Sequence, residues 1–119
     1  MIIPHYIKNG KILDIGCSYG WYLYQLKNKG WNVKGIELNK EAVEFAVKKL
    51  KLDVGNLSIE NFQSSEQFDI IFLLNVLEHL KSPRDAFEKI ESLLKPGGKL
   101  YISIPDYNGL EAKIYKNYV

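Results

Sequence analysis

Cysteine is almost absent from this sequence. Cys17 is the only one in 119 residues, which excludes a disulfide framework and makes a reducing, cytoplasmic setting the expectation. Long apolar runs are lacking too. The longest, Ile70 to Leu74, has the length of a strand and falls far short of a membrane crossing, so no membrane partner is expected. The opening residues lack the charged region, apolar run and cleavage site of a secretory leader, so an untargeted chain is expected. Neither sign of charge dominates: 16 basic and 14 acidic residues leave a net charge of +2. The lysines are scattered rather than gathered into a stripe, so no nucleic-acid partner is expected. Asn56-Leu57-Ser58 matches a glycosylation sequon, but a cytosolic chain would not meet that machinery.

What is present is the balance of a globular chain, with 46% hydrophobic and 25% charged residues, enough for one domain over residues 1–119. Strand and helix patterns alternate along it. Lys11 to Ile15 is an aliphatic strand that runs into a glycine-bearing loop. Trp21 to Lys29 is helical, with Gly30 placed to stop it. Val33 to Leu38 is a second strand. Asn39 caps a helix whose apolar positions are Ala42, Val43, Ala46, Val47 and Leu50. Leu52 to Val54 is a brief third strand, and residues 55–67 are mostly polar. Phe68 to Leu74 is apolar on both faces, as a central parallel strand must be. One or two helical turns are expected over Val76 to Leu80. Ser82 and Pro83 begin a helix with a core face of Ala86, Phe87, Ile90, Leu93 and Leu94. Pro96-Gly97-Gly98 is a turn, Lys99 to Ile104 a fifth strand, and the tail from Asp106 a further helix. The fold class is therefore α/β, a doubly wound and mostly parallel sheet with helices on both faces. Ligands of such sheets sit beyond the carboxyl ends of the strands.

The loop at that end of the first strand is Asp14-Ile15-Gly16-Cys17-Ser18-Tyr19-Gly20. Gly16 and Gly20 let the backbone turn tightly and approach a ligand. A dinucleotide fingerprint would need glycines where Ser18 and Trp21 stand, which disfavours a nicotinamide-dependent oxidoreductase. No Gly-Lys-Ser/Thr is present for a P-loop. The carboxylate of Asp14 would repel a pyrophosphate but suits a ligand carrying an ammonium or sulfonium charge.

The stretch Ile12 to Gly20 resembles motif I of class I S-adenosylmethionine (SAM) dependent methyltransferases, acidic-x-G-x-G-x-G, with Ser18 at the middle glycine. Phe68-Asp69-Ile70-Ile71, Asn75-Val76-Leu77-Glu78-His79-Leu80 and Pro83 resemble the later signature of family members acting on small molecules and biosynthetic intermediates, the ubiquinone-biosynthesis O-methyltransferases among them. Leu94-Lys95-Pro96-Gly97-Gly98 and the strand after it fit the same pattern. The resemblance covers roughly residues 11–109 and implies a Rossmann-like core, SAM as methyl donor, S-adenosylhomocysteine as product and a small-molecule methyl acceptor. It implies cofactor contacts at Asp14, Gly16, Cys17, Ser18, Gly20, Glu37, Leu38, Asn56, Leu57 and Asn75. Glu37 would accept hydrogen bonds from a ribose diol, Leu38 would pack on the adenine, and the Asn56 carbonyl would accept from the adenine amino group, unless Gly55-Asn56-Leu57 is a plain turn.

Some relatives bind a metal through E-x-x-E-H. Here Asn75 replaces the first ligand, so with Glu78 and His79 the set is incomplete and no metal is expected. His79 has two further readings, a structural residue or a general base, since imidazole titrates near neutrality. The tyrosines Tyr22, Tyr24 and Tyr101 read either as core or as a substrate pocket. The catalytic residue stays open. A SAM-binding module without turnover is the alternative to an enzyme. The family's sheet carries two more strands after the fifth, whereas this sequence stops soon after Pro105, so truncation there is expected. Lys99 to Ile104 would then be an open edge. A homodimer through that edge or the C-terminal tail follows, unless the tail folds back over its own sheet.

Overall fold

The computed structural model describes residues 9–74, 80–106, 109–113 and 117–118. Along the chain run β1 (Lys11–Ile15), α1 (Trp21–Asn28), β2 (Asn32–Ile36), α2 (Lys40–Lys48), β3 (Val54–Gly55), a 3₁₀ turn (Ile59–Asn61), β4 (Phe68–Leu74), α3 (Pro83–Leu93), β5 (Leu94–Asp106), β6 (Gly109–Lys113) and β7 (Asn117–Tyr118). The strand order is β3-β2-β1-β4-β5-β6, with β7 also against β5. β1 to β5 pair in parallel, and β6 and β7 run antiparallel to β5.

Alternation along the strands divides the core between two faces. Ile12, Ile70 and Phe72 face α1 and α2, where Leu23, Leu26, Val43 and Ala46 pack on them. Leu13, Ile15, Ile71 and Leu73 face α3, meeting Ala86, Ile90 and Leu93. Strands covered on both sides explain the apolar run Ile70 to Leu74 within β4. Asn39 caps α2 by accepting from the Ala42 N–H at 3.1 Å, and Ser82 caps α3 through the Asp85 N–H. Val47, expected on the core face of α2, is exposed instead.

Three boundary expectations are corrected. β2 ends at Ile36, which leaves Glu37 just beyond the ladder. β3 begins two residues later than expected and is short. β5 already begins at Leu94. The Pro96-Gly97-Gly98 turn is absorbed as an irregularity in which β4 advances from Phe68 to Ile70 while β5 advances from Leu94 to Lys99. Pro96 has no N–H to donate to a ladder, and at Gly98 the chain passes so close to Asp69 that a Cβ would lie 3.2 Å from its carbonyl oxygen.

The tail is also corrected. It forms strands, not a helix, and the sheet does not stop at β5. β6 pairs over Ile102 to Asp106 and β7 over Gly98 to Lys99. The row of free N–H and C=O groups on β5 outweighs a weak helical pattern in the tail, and the alternative of a tail folded over its own sheet is the one observed. The expected helical turns over Val76 to Leu80 and the residues Asn75, Glu78, His79 and His5 fall, apart from Leu80, outside the described residues.

Candidate functional site

The strand order reverses between β1 and β4, with α1 after β1 packed on one face of the sheet and α3 after β4 on the other, the arrangement that leaves a crevice beyond the strand ends. A cleft of about 1040 Å³ opens at this point, at the upper end of the roughly 300–1,000 Å³ range of small-molecule sites. Its floor is made by the ends of β1, β2 and β4, at Asp14, Ile15, Ile36 and Leu74. Its walls come from the β1–α1 loop, the β2–α2 loop and the segment after β3.

Asp14 is the feature that defines the floor. It is only 4% exposed and is the one buried charged residue among the described residues. No described residue donates a hydrogen bond to its carboxylate, an unusual state for a buried acid. Burial, and after it the nearby charge of Glu37, pushes the Asp14 carboxyl up to about 8. The Cys17 thiol, pushed up to about 12 mainly by burial and then by Asp14 and Glu37, forms a neutral wall beside it. Tyr22 also lines the cleft. Its hydroxyl is raised to about 12 by burial, with Asp14 adding to the rise, and its ring packs edge-on against Phe72. Tyr101 stacks on the same Phe72 ring, and Tyr24 packs against the core.

The β1–α1 loop is held against β2. The N–H groups of Gly16 and Cys17 both donate to the Ile36 carbonyl, at 2.8 and 3.1 Å. Gly16 has φ 79° and Ser18 φ 56°, so Ser18 occupies the left-handed region that favours glycine. Its N–H donates to Glu37 Oε1 at 2.8 Å. Glu37 Oε2 accepts from the Asn39 N–H at 2.9 Å. Two backbone donors thus fix the Glu37 carboxylate at the cleft, and with about four lone-pair positions it keeps capacity for a ligand's hydroxyls.

Seven of the expected site residues meet at the cleft: Asp14, Gly16, Cys17, Ser18, Glu37, Leu38 and Leu57. Leu38 is 68% exposed, an apolar surface offered at the edge of the cleft. Two do not line it. Gly20 caps α1 at φ 89°, and a Cβ there would lie 2.7 Å from Leu52 and 3.1 Å from Ala46, so it serves the packing of the start of α1 on α2 and on Leu52 ahead of β3. Asn56 turns its amide back onto the β2–α2 loop. The tenth, Asn75, lies outside the described residues. Ser58, Ile59 and Glu60 also line the cleft and were not anticipated. The polar stretch that carries them has no periodicity to mark them. No group of His, Cys, Asp and Glu able to hold a metal ion occurs among the described residues, and no helix among them is long and apolar enough to cross a membrane.

A family model described as a methyltransferase domain matches residues 4–118. The ubiquinone biosynthesis O-methyltransferase of Actinobacillus pleuropneumoniae is 33% identical over 104 residues, covering 78% of this chain and 44% of that protein. The mitochondrial ubiquinone biosynthesis O-methyltransferase of Schizosaccharomyces pombe is 35% identical over 101 residues, covering 78% and 37%. Among solved structures, the plantazolicin methyltransferase BamL, in complex with a triazolic desmethylPZN analog and SAH, superposes with a TM-score of 0.76 at 28% identity over 82% of this chain and 39% of that one. The related BpumL in complex with SAH gives 0.75 at 25% identity, over 83% and 40%. The chain spans less than half the length of the curated relatives it matches.

Proposed function

The chain belongs to the class I SAM-dependent methyltransferase family, and from that premise we propose that it binds SAM in the cleft and transfers the methyl group to a small-molecule acceptor. The observation that carries this reading is Asp14: a buried carboxylate lining the cleft, without a hydrogen-bond donor among the described residues. Such a group calls for a cationic ligand, and the amino-acid end of SAM carries an ammonium and a sulfonium.

The other residues fit the same ligand. The turn at Gly16 brings backbone close to the cleft without a side chain in the way. Cys17 and Ser18 continue that wall. Glu37, held by the Ser18 and Asn39 N–H groups, would accept from a ribose diol. Leu38 and Leu57 supply apolar surface for a base. Asn75 is proposed as a further cofactor contact on the family resemblance alone.

When bound, SAM supplies a methyl carbon already activated by its sulfonium, so displacement by an acceptor needs no covalent catalyst. What the chain contributes is placement: Asp14 and Glu37 fix two ends of the ligand, and the apolar floor at Ile15, Ile36 and Leu74 excludes water. Orientation of this kind supplies a large share of the rate in bimolecular reactions. The setting proposed is a reducing, cytoplasmic one, in which the buried Cys17 thiol stays free.

Calorimetric titration with SAM, S-adenosylhomocysteine and NAD tests the reading. The first two are expected to bind and NAD is not; NAD binding in place of both would sink it. Methyl-donor consumption over a panel of small acceptors then separates an enzyme from a module that binds without turnover.

A further inference from the structure

The loop between β2 and α2 carries both Glu37 and Leu38, and it is short of regular structure. Its backbone carbonyls at Glu37 and Leu38 lie beyond the ladder, where their donors must come from water or from a side chain. Asn56 supplies them. Its side-chain Nδ2 lies 2.9 Å from the Glu37 carbonyl oxygen and 3.1 Å from that of Leu38. Both partners are acceptors only, so the amide end of the side chain, not its carbonyl, must face them. The chain reaches this position because β3 ends at Gly55, whose own carbonyl accepts from the Glu37 N–H at 3.0 Å. Gly55 and Asn56 thus hold the backbone of Glu37 at its N–H and C=O groups, while Ser18 and Asn39 hold its carboxylate.

We infer that Asn56 is a positioning residue, which acts on the ligand only through the loop bearing Glu37 and Leu38 and does not read the base itself. This rests on the reading of the cleft as a SAM site. It departs from the sequence-based expectation, in which the Asn56 carbonyl accepts from the adenine amino group. The two roles use opposite ends of one amide, and that makes them separable by substitution. An aspartate keeps the acceptor and loses the donor. Asn56→Asp would set a carboxylate against two carbonyl oxygens and drive the loop away, whereas in a base-reading role it would preserve the contact.

The experiment is a double-mutant cycle on S-adenosylhomocysteine affinity, measured by calorimetry with the full chain, using Asn56→Asp, Asn56→Ala, Glu37→Ala and the double variants. Circular dichroism confirms that each is folded. Asn56→Asp is expected to weaken binding roughly 10-fold in the otherwise unchanged chain and by less than about threefold beside Glu37→Ala, because coupled residues are non-additive. Asn56→Ala should fall between, and it replaces Asn56→Asp if that variant does not fold. In the ligand-free chain, the Ser18 and Asn39 amides should exchange with solvent roughly 10-fold faster in Asn56→Asp. Undiminished or tighter binding in Asn56→Asp would overturn the inference and restore the base contact. Equal losses in both backgrounds would overturn it as well. Should the unaltered chain bind no S-adenosylhomocysteine, the SAM reading fails by itself, and the amide exchange rates still decide for or against Asn56.

Discussion

Asp14 shows how one side chain ties stability to function. With its carboxyl raised to about 8 from an ordinary 3.8, the folded chain keeps a proton that the unfolded chain has released. The folded state therefore binds more protons between those values, and stability falls as pH rises from about 4 to about 8. Asp14→Asn removes that penalty. It is expected to raise the Tm by at least about 5 °C at pH 8, with the gain vanishing toward pH 4. The same substitution should abolish the pH dependence of ligand binding. In the unaltered chain, S-adenosylhomocysteine affinity should strengthen from pH 6 to 8, approaching about tenfold per unit, since an ammonium must meet an ionised carboxylate. Thermal melts and titrations over that range check both, and an Asn variant that melts lower at pH 8 would refute the assignment of Asp14 as an unpartnered acid. Glu37→Ala removes a charged acceptor, a loss of about 1.5–3 kcal/mol, or roughly 10- to 150-fold in affinity. A folded variant that binds unchanged would end the ribose assignment. The position of Asp14 at a strand end was legible in the sequence, but its lack of a donor among the described residues was not, because that depends on which groups the fold brings to it. Asn56 was legible as a polar residue after β3, yet nothing in a sequence says which end of an amide faces the ligand.

At the scale of the element, the β1–α1 loop contains two glycines with different duties. Gly16 lines the cleft, and Gly16→Val is expected to abolish cofactor binding while circular dichroism shows most of the fold retained. Gly20 faces the interior, where a Cβ would press on Leu52 and Ala46 and would sit on a backbone of φ 89°. Gly20→Ala should therefore cost stability, about 1–3 kcal/mol, which a denaturant melt would show. A Gly20→Ala chain of undiminished stability would mean that α1 is not packed as closely as the fold requires. The motif alone treats these glycines as one signature, since the spacing of a loop does not reveal which residues face the ligand and which face the next helix. Strands and helices with strong periodicity were legible, α3 and β4 to the residue at their starts. The ends of β2 and β3 were not, because pairing and not composition decides where a ladder stops. The continuation of β5 through Pro96 was hidden for the same reason: Phe68 finds Leu94 across the irregularity, a contact made from a distance in sequence.

The whole molecule follows from the both-sided burial of its central strands, which the apolar run Ile70 to Leu74 already announces. That run requires helices on both faces, and parallel pairing with right-handed crossovers then leaves few topologies. The cleft at the reversal of strand order comes with the topology. The far side of the sheet was a different matter, because an edge can be closed by any chain with free backbone groups, its own or a neighbour's. Here the closure is internal: β6 and β7 occupy the edge of β5 over Ile102–Asp106 and Gly98–Lys99. The expectation of a homodimer through that edge therefore loses the strand on which it rested. Light scattering across a dilution series should give a monomeric mass up to high micromolar concentration. Removing residues 107–119 should bare β5, with its alternation of Leu100 and Ile102 against Tyr101, and make the mass rise with concentration, as unprotected edges do. A full chain that dimerises as readily as the shortened one would show that β6 and β7 do not shield the sheet in solution.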